Sequence, residues 1–271
     1  MSANTPSRVG ALLPHEPVAR RSMLLLGGLG LTGAWGLRAA STELAHARPR
    51  QESPAADLGL PTPVAAPAPG TQAREPFSSG GIGRWQTSSH QASTPDEDRA
   101  AARGDGIHLL GDSIGSRLLP ALKHRAGSRP VSYDVWNGRP TAPALESLAH
   151  AVDEDRLAPT VLIVLGSNDI FDPWHYEDAV RRARAIAGER RLLWVTPYVS
   201  RPSAPSADLR NSTLLGLVLE RAVAAGTIEL VRWFEFLARS GDAIPDLIED
   251  GVHPSPAGAS ALAGLVITCL G

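Results

Sequence analysis

Serine, histidine and aspartate stand at positions in this chain where they could carry out nucleophilic catalysis. A serine hydroxyl is a weak nucleophile until a base removes its proton, and a third group must fix the tautomer of that base. Ser113 follows a short apolar run and precedes a helical pattern, so it is the candidate nucleophile. His253 is the candidate base, and Asp250, three residues earlier in a loop, could reach its second imidazole nitrogen.

The same chemistry needs hydrogen-bond donors aimed at the oxyanion that forms when an acyl carbon is attacked. Three donors follow predicted strands: the backbone N–H of Ser113, the backbone N–H of Gly138 and the side-chain amide of Asn168. Gly138 would let the backbone approach a ligand closely because glycine has no Cβ. These residues together would suffice for acyl transfer.

Each candidate also has an ordinary structural role open to it. Ser113 could be a helix cap at a strand-to-helix turn, and Gly138 could be a plain turn glycine. Asn168 could form an Asx turn, and Asp250 could bond local backbone amides while Pro254 starts the next helix. The occurrence of all of them in one chain, with each donor after its own strand, favours the catalytic interpretation.

Beyond Gly104, apolar runs rich in β-branched residues alternate with longer segments of helical period. The predicted strands are 107–111, 131–136, 160–166, 191–196 and 227–233. The predicted helices are 114–126, 142–156, 174–188, 206–225 and 255–269. Apolar strands separated by helices indicate a parallel sheet covered on both faces, so we predict a three-layer α/β unit with five parallel strands. Ligands of such sheets bind beyond the carboxyl ends of the strands, where the candidate residues fall.

The N-terminal segment 1–47 is typical of an export signal. The twin arginine Arg20-Arg21 precedes an uncharged stretch of leucine and glycine that lasts until Arg38. The tripeptide at 45–47 then has the small-x-small pattern that a signal peptidase accepts. We predict export, with the twin-arginine route favoured over the alternatives of an ordinary secretory signal or an uncleaved anchor.

Residues 48–104 are rich in proline, alanine, serine, glycine and charge. Such a segment buries too little apolar surface to offset its ordering entropy, so we predict a disordered linker there. The folded domain is predicted at 105–271. The apolar stretch near the N-terminus is short for a membrane span and diluted by glycine, so we predict no stable span in the mature chain. We also expect the protein to be a monomer.

Charge and cysteine content exclude several classes of partner and site. The 26 basic and 28 acidic residues give a net charge of −2, and without a long basic run a nucleic-acid partner is not expected. The single cysteine, Cys269, excludes an intrachain disulfide and a cysteine-rich zinc motif. No metal-ligand spacing of the H-E-x-x-H type occurs, so we predict neither a metal nor a cofactor.

The candidate stretches resemble four of the sequence blocks of the SGNH/GDSL hydrolases, a family named for catalytic Ser, Gly, Asn and His. The matching residues are Gly111-Asp112-Ser113, Gly138, Gly166-x-Asn168-Asp169 and Asp250-x-x-His253. This resemblance implies a flavodoxin-like α/β/α sandwich over 105–271. It also implies that Ser113 is the nucleophile, His253 the base and Asp250 its orienting acid, with Ser113, Gly138 and Asn168 forming the oxyanion hole.

Two comparisons refine this resemblance. The larger α/β-hydrolase fold shares the serine turn, but there several strands precede the nucleophile, whereas Ser113 follows the first predicted strand. Many SGNH members have further glycines after the second-block glycine, whereas Arg139-Pro140 follow Gly138 here. The Gly-Arg pair is similar to that in SGNH domains attached to bacterial cell-wall O-acyltransferases.

The leading hypothesis is therefore an exported serine esterase that removes acyl groups from a cell-envelope carbohydrate, with acetyl as the favoured acyl group. An O-acyltransferase is the alternative in mechanism, because the same acyl-enzyme could be resolved by a sugar hydroxyl in place of water. A non-catalytic carbohydrate-binding module is the alternative of another class.

Overall fold

The computed structural model describes residues 84–171 and 173–271, and of Trp174 it describes the backbone alone. The export signal predicted at 1–47 and the linker up to residue 83 lie outside the described residues. Among the residues that are described, no helix is both long and apolar enough to cross a membrane.

The centre of the fold is one six-stranded sheet. Its strands are β1 (His90–Ala92), β2 (Ile107–Gly111), β3 (Val131–Trp136), β4 (Thr160–Val164), β5 (Arg191–Val195) and β6 (Glu229–Val231). The spatial order is β1-β3-β2-β4-β5-β6, and β1 is antiparallel to β3 while the other neighbours are parallel. The five parallel strands follow the flavodoxin-like order, which confirms the predicted fold class, and the predicted count of five is corrected by the added strand β1.

Helices cover both faces of the sheet. They are α1 (Pro95–Arg103), α2 (Ser113–Ala126), α3 (Thr141–Asp153), α4 (Tyr176–Ala187), α5 (Pro205–Ala224), α6 (Trp233–Ser240), α7 (Ile244–Leu247) and α8 (Pro256–Leu270). α2 packs against α8 on one face, whereas α3, α4 and α5 pack side by side on the other. The strand predicted at 227–233 is shorter than expected, because the chain leaves the sheet after Val231 and begins α6 at Trp233. The Trp233 side chain is fully buried at the start of that helix.

The linker predicted at 48–104 needs correction at its C-terminal end, since residues 90–103 form β1 and α1. Thr94 and Glu97 cap α1 reciprocally, which satisfies backbone donors that would otherwise have no partner. Asp98 is buried and pairs with Arg156 of the α3–β4 loop, and Ala101 is buried beside β2. The composition is polar because most of α1 faces solvent, and this polarity led to the incorrect linker boundary.

His108 is a buried titratable group in the middle of β2. Its side chain is 5 % exposed, and its Nδ1 atom lies 3.0 Å from the Ser132 hydroxyl on β3. Burial lowers the pKa of His108 from 6.5 to about 4, because the charged imidazolium is poorly solvated there, and the nearby Asp134 and Asp98 offset only part of that effect. The folded state therefore holds His108 neutral at pH values where the unfolded chain protonates it.

We expect the protein to lose stability as the pH falls through the window from 6.5 to 4. In that window the unfolded state binds more protons than the folded state, so the free energy of unfolding decreases with decreasing pH. The contribution of His108 between pH 7.5 and pH 5 should be about 2 kcal/mol. Urea unfolding at the two pH values measures it, and His108→Gln, which does not titrate, should show a correspondingly smaller loss. An equal loss in both proteins would contradict this assignment.

Candidate active site

Ser113 is the first residue of α2 and stands directly beyond the carboxyl end of β2. Asp112 caps the helix, accepting a hydrogen bond from the Ile114 N–H at 2.8 Å. The turn is tight: a Cβ on Gly111 would lie 2.9 Å from the Cα of Gly115, so position 111 excludes a side chain, and a Cβ on Gly115 would lie 3.3 Å from the Val135 side chain. The sequence motif thus reflects the close packing of α2 on β2 as well as the placement of the hydroxyl.

His253 and Ser113 are 140 residues apart in the chain and in contact in the fold. The Nε2 atom of His253 lies 2.8 Å from the Ser113 Oγ atom, and its Nδ1 atom lies 2.8 Å from Oδ2 of Asp250. An ionised Asp250 can only accept a hydrogen bond from Nδ1, so Nδ1 carries the proton and Nε2 accepts from the serine hydroxyl. This arrangement can remove a proton from Ser113 as its oxygen attacks a carbonyl carbon.

Asp250 has two tasks, one for each carboxylate oxygen. Oδ1 accepts hydrogen bonds from the backbone N–H groups of Val252 and His253, each at 2.8 Å. Oδ2 accepts a hydrogen bond from Nδ1 of the His253 imidazole. The sequence left these two roles as alternatives, and the structure combines them. Gly251 has φ of +83°, and a Cβ there would lie 2.2 Å from the Ser200 carbonyl oxygen, so the turn has room only for glycine.

The Gly138 turn and Asn168 lie at the same end of the sheet. Gly138 has φ of +76° in the turn that follows β3, a conformation that favours glycine. The amide nitrogen of Asn168 is 3.1 Å from Oδ2 of Asp112 and 3.4 Å from the carbonyl oxygen of Arg139. Asn168 therefore lies between the serine turn and the Gly138 turn, and one of its two amide hydrogens is held by Asp112.

Asp112 is a fully buried carboxylate that braces the site. It accepts hydrogen bonds from the Ile114 backbone, the Ser167 hydroxyl and the Asn168 amide. Burial raises the pKa of Asp112, although the hydrogen bond from Ser167 acts in the opposite direction. These contacts fix the orientation of the Asn168 amide relative to Ser113.

Arg139 is a buried residue whose role the sequence did not reveal. Its guanidinium, 1 % exposed, donates to the Gly111 carbonyl oxygen at 3.1 Å and to the Asp134 carboxylate at 2.8 Å. Although burial opposes the charge of Asp134, the guanidinium holds the pKa of that carboxyl below its usual value. Arg139 thereby ties the serine turn, the end of β3 and the Gly138 turn together. The one signal in the sequence was the position of this charged residue directly after the second-block glycine.

The turn is closed on its other side by Asp169, which follows Asn168. Its carboxylate accepts hydrogen bonds from the backbone N–H of Thr141, at 3.1 and 3.2 Å, and from the Thr141 hydroxyl at 2.7 Å. Thr141 is the first residue of α3, and the preceding Pro140 offers no side-chain cap. Asp169 therefore caps α3 from a neighbouring loop, which links the third and second sequence blocks.

Several solved structures share this fold. The C-terminal catalytic domain of the Streptococcus pneumoniae peptidoglycan O-acetyltransferase A, with a methylsulfonyl adduct, is 21 % identical with a TM-score of 0.50, and the match covers 62 % of this chain and 93 % of that one. An Enterococcus faecalis lipase/acylhydrolase is 19 % identical with a TM-score of 0.52, covering 62 % and 95 %. A GDSL-like lipase of Bacteroides thetaiotaomicron is 15 % identical with a TM-score of 0.53, covering 65 % and 94 %.

At these identities the likeness establishes the fold, and the family follows from the sequence. No curated protein is similar in sequence to the chain. The model of the GDSL-like lipase/acylhydrolase family matches residues 96–261, which is more than half of the chain and includes every candidate site residue. The chain therefore belongs to the GDSL-like lipase/acylhydrolase family, the SGNH/GDSL hydrolases.

Proposed function

We propose that the protein is a serine esterase in which Ser113 is the nucleophile, His253 the general base and Asp250 the group that orients it. The observation that carries this proposal is the hydrogen-bonded chain from Asp250 through His253 to Ser113, with 2.8 Å at each step. His253 and Asp250 are 13 % and 11 % exposed, so the pair is shielded from bulk water yet open enough for an ester to approach.

The first half of the reaction forms an acyl-enzyme. The Ser113 oxygen attacks the ester carbonyl carbon while its proton moves to Nε2 of His253, and the carbonyl electrons move to the oxyanion. The backbone N–H groups of Ser113 and Gly138 and the amide of Asn168 stabilise that oxyanion. When the intermediate collapses, the ester C–O bond breaks and the leaving alcohol takes the proton from Nε2.

The second half returns the enzyme to its starting state. A water molecule gives a proton to Nε2 of His253 as its oxygen attacks the acyl carbon, and the acyl–Ser113 bond then breaks with return of the proton to Ser113 Oγ. If a sugar hydroxyl takes the place of water, the same steps give an O-acyltransferase. Measuring how the acyl-enzyme divides between water and an added oligosaccharide distinguishes the two, and no acylated sugar should form if the protein is an esterase.

A serine-directed reagent tests the nucleophile independently of the natural substrate. Phenylmethylsulfonyl fluoride should form a sulfonyl–oxygen bond at Ser113 with loss of fluoride and the hydroxyl proton, and intact mass with peptide mapping locates the adduct. Ser113→Ala should remain unlabelled, whereas Ser116→Ala, one helical turn further, should label like the parent protein. Labelling at another serine, or none at all, would favour the non-catalytic carbohydrate-binding alternative.

The substrate that we propose is an acyl ester of a cell-envelope carbohydrate, with acetyl as the favoured acyl group. This places the protein outside the cytoplasm. The support for this location is the sequence of the N-terminal segment, with Arg20-Arg21 before an apolar stretch and a small-x-small site at 45–47. A proline-rich linker up to residue 83 would then hold the folded domain away from the membrane.

Replacing both Arg20 and Arg21 with lysine should block export by the twin-arginine route while leaving the folded domain unchanged. The expected result is accumulation of the full-length precursor inside the cell, measured by fractionation and by the mass of the N-terminal peptide. Arg38→Lys, beyond the apolar stretch, serves as the matched control. Undiminished export of the double variant would show that the ordinary secretory route is used.

A further inference from the structure

Three aromatic side chains lie next to the Gly138 turn, and the proposed ester chemistry uses none of them. Trp85 and Trp136 meet edge to face with their ring centroids 4.6 Å apart. His90 stacks on Trp136 with a centroid distance of 4.2 Å and planes 16° apart. We call these three residues the aromatic cluster.

The aromatic cluster is partly open to solvent. Trp85 and Trp136 are half-buried and His90 is exposed, whereas Trp194 and Trp233 are fully buried in the core. A tryptophan that fills a core has no exposed ring, so burial in the core does not account for this cluster. Partly exposed aromatic rings held close together are typical of recognition surfaces.

The cluster adjoins the proposed oxyanion hole. Trp136 ends β3 two residues before Gly138, and a Cβ built on Gly138 would lie 3.4 Å from the Cβ of Trp85. A ligand that contacts the cluster therefore lies at the rim of the site that holds Ser113. Trp85 lies outside residues 96–261, the part of the chain that the family model matches. The approach of Trp85 to Gly138 is therefore made by a segment N-terminal to the matched part.

Hydrogen bonds hold the cluster in position. The indole Nε1 of Trp136 donates to the Ser88 carbonyl oxygen at 3.2 Å, and Nε2 of His90 lies 2.8 Å from the Asp134 carboxylate. That carboxylate also accepts from Arg139, which anchors the cluster to the serine turn. A binding surface that is already ordered loses little conformational entropy when a ligand binds.

The chemistry of the cluster favours a sugar ring as its ligand. The face of an indole ring carries negative potential, and the C–H groups on one face of a pyranose are apolar with weakly positive hydrogens. His90 within the cluster and Asn137, which follows Trp136 in the chain, carry polar side chains that can hydrogen-bond to ring hydroxyls. A lipid acyl chain would gain nothing from these polar neighbours.

We propose that the aromatic cluster is a subsite that binds a pyranose ring of the acylated substrate, with Trp85 as the stacking surface and Trp136, one face of which His90 covers, holding Trp85 in place. This proposal rests on the proposed function, because it names the substrate class of the same site. It assigns the preference for carbohydrate esters to the segment around Trp85 and the end of β3.

The test compares esters that share an acetyl group and differ in the ring that carries it. O-acetylated xylotriose and 6-O-acetylated chitotriose carry pyranose rings, whereas vinyl acetate carries none. The full-length protein should show a higher kcat/KM for at least one sugar ester than for vinyl acetate. Trp85→Leu removes the flat face and keeps an apolar side chain against Gly138. It should therefore lower the ratio of kcat/KM for the sugar ester to kcat/KM for vinyl acetate about tenfold.

Two further variants serve as controls. Trp85→Phe keeps a flat ring and should retain most of the ratio. Tyr133→Leu also replaces an aromatic residue with leucine, but outside the cluster, at a half-buried ring of β3 that contacts Lys123. This variant should leave the ratio unchanged. A ratio that is unaffected by Trp85→Leu, or a parent protein without preference for either sugar ester, would overturn the proposal.

Failure of the subsite and failure of the esterase give different results. Hydrolysis of vinyl acetate that depends on Ser113, without the sugar preference, overturns the subsite alone. If no ester is hydrolysed, calorimetric titration of chitotriose and xylotriose into the Ser113→Ala protein still tests the subsite. Binding that Trp85→Leu abolishes would support it, and absence of binding to both sugars would overturn it.

Discussion

Ser113→Ala should lower the kcat for acetyl ester hydrolysis about ten-thousandfold or more. The variant removes the oxygen that attacks the acyl carbon, and this oxygen lies 2.8 Å from Nε2 of His253. The residual rate would come from the oxyanion hole alone. Initial rates with 4-nitrophenyl acetate and with vinyl acetate measure the loss.

Ser116→Ala is the matched control for this experiment. Ser116 lies on the same helix, and its hydroxyl donates to the Asp112 carbonyl oxygen at 3.2 Å and to Oδ1 of Asn137 at 2.8 Å. Its variant should keep the activity within a small factor of the parent. Equal activities for the Ser113→Ala protein and the parent would show that Ser113 is not the nucleophile.

Asp250→Asn should lower kcat by about a thousandfold to ten-thousandfold while the fold stays intact. The amide oxygen can still accept the backbone N–H groups of Val252 and His253. The amide NH₂ would then face Nδ1 of His253, which must become an acceptor, and the proton moves to Nε2. In that tautomer His253 cannot accept the proton of Ser113.

The distinguishing measurement for Asp250→Asn is activity together with thermal stability. We expect a melting temperature close to that of the parent, because the hydrogen bonds of the turn persist. Asp250→Ala removes them and should lower both activity and melting temperature, while Glu249→Gln, at the neighbouring exposed carboxylate, should change neither by much. Retention of full activity in Asp250→Asn would mean that Asp250 only shapes the turn.

The parallel part of the fold was predictable because its central strands β2, β4 and β5 are apolar and buried along most of their length. β2 and β3 occupy the predicted ranges, and β2 is buried along its whole length. The proximity of Ser113, Gly138 and Asn168 followed from one rule, that the carboxyl ends of parallel strands meet at one edge of the sheet. The geometry of the site therefore depended little on the details of the loops.

The features that escaped prediction are those whose partners are distant in sequence. β1 is exposed along its length and, among residues 84–171 and 173–271, pairs with β3 alone, so it carries no apolar pattern. Arg139 is a charged residue that composition places at the surface, and its partners on β3, the serine turn and α3 are brought to it by folding. α6 is eight residues long, too short for its helical period to be recognised after an apolar run.

The antiparallel pairing of β1 has a consequence for how the protein behaves when it is shortened. A chain cut at residue 105, the boundary that sequence composition favours, would lose β1 and leave the backbone donors and acceptors of β3 open along one side. Open strands of this kind pair with strands of other molecules and promote aggregation. The same cut would remove Asp98 from its pairing with Arg156. The short strand before α1 thus covers the edge of β3, and fragments that begin before Trp85 should aggregate less than fragments that begin at residue 105.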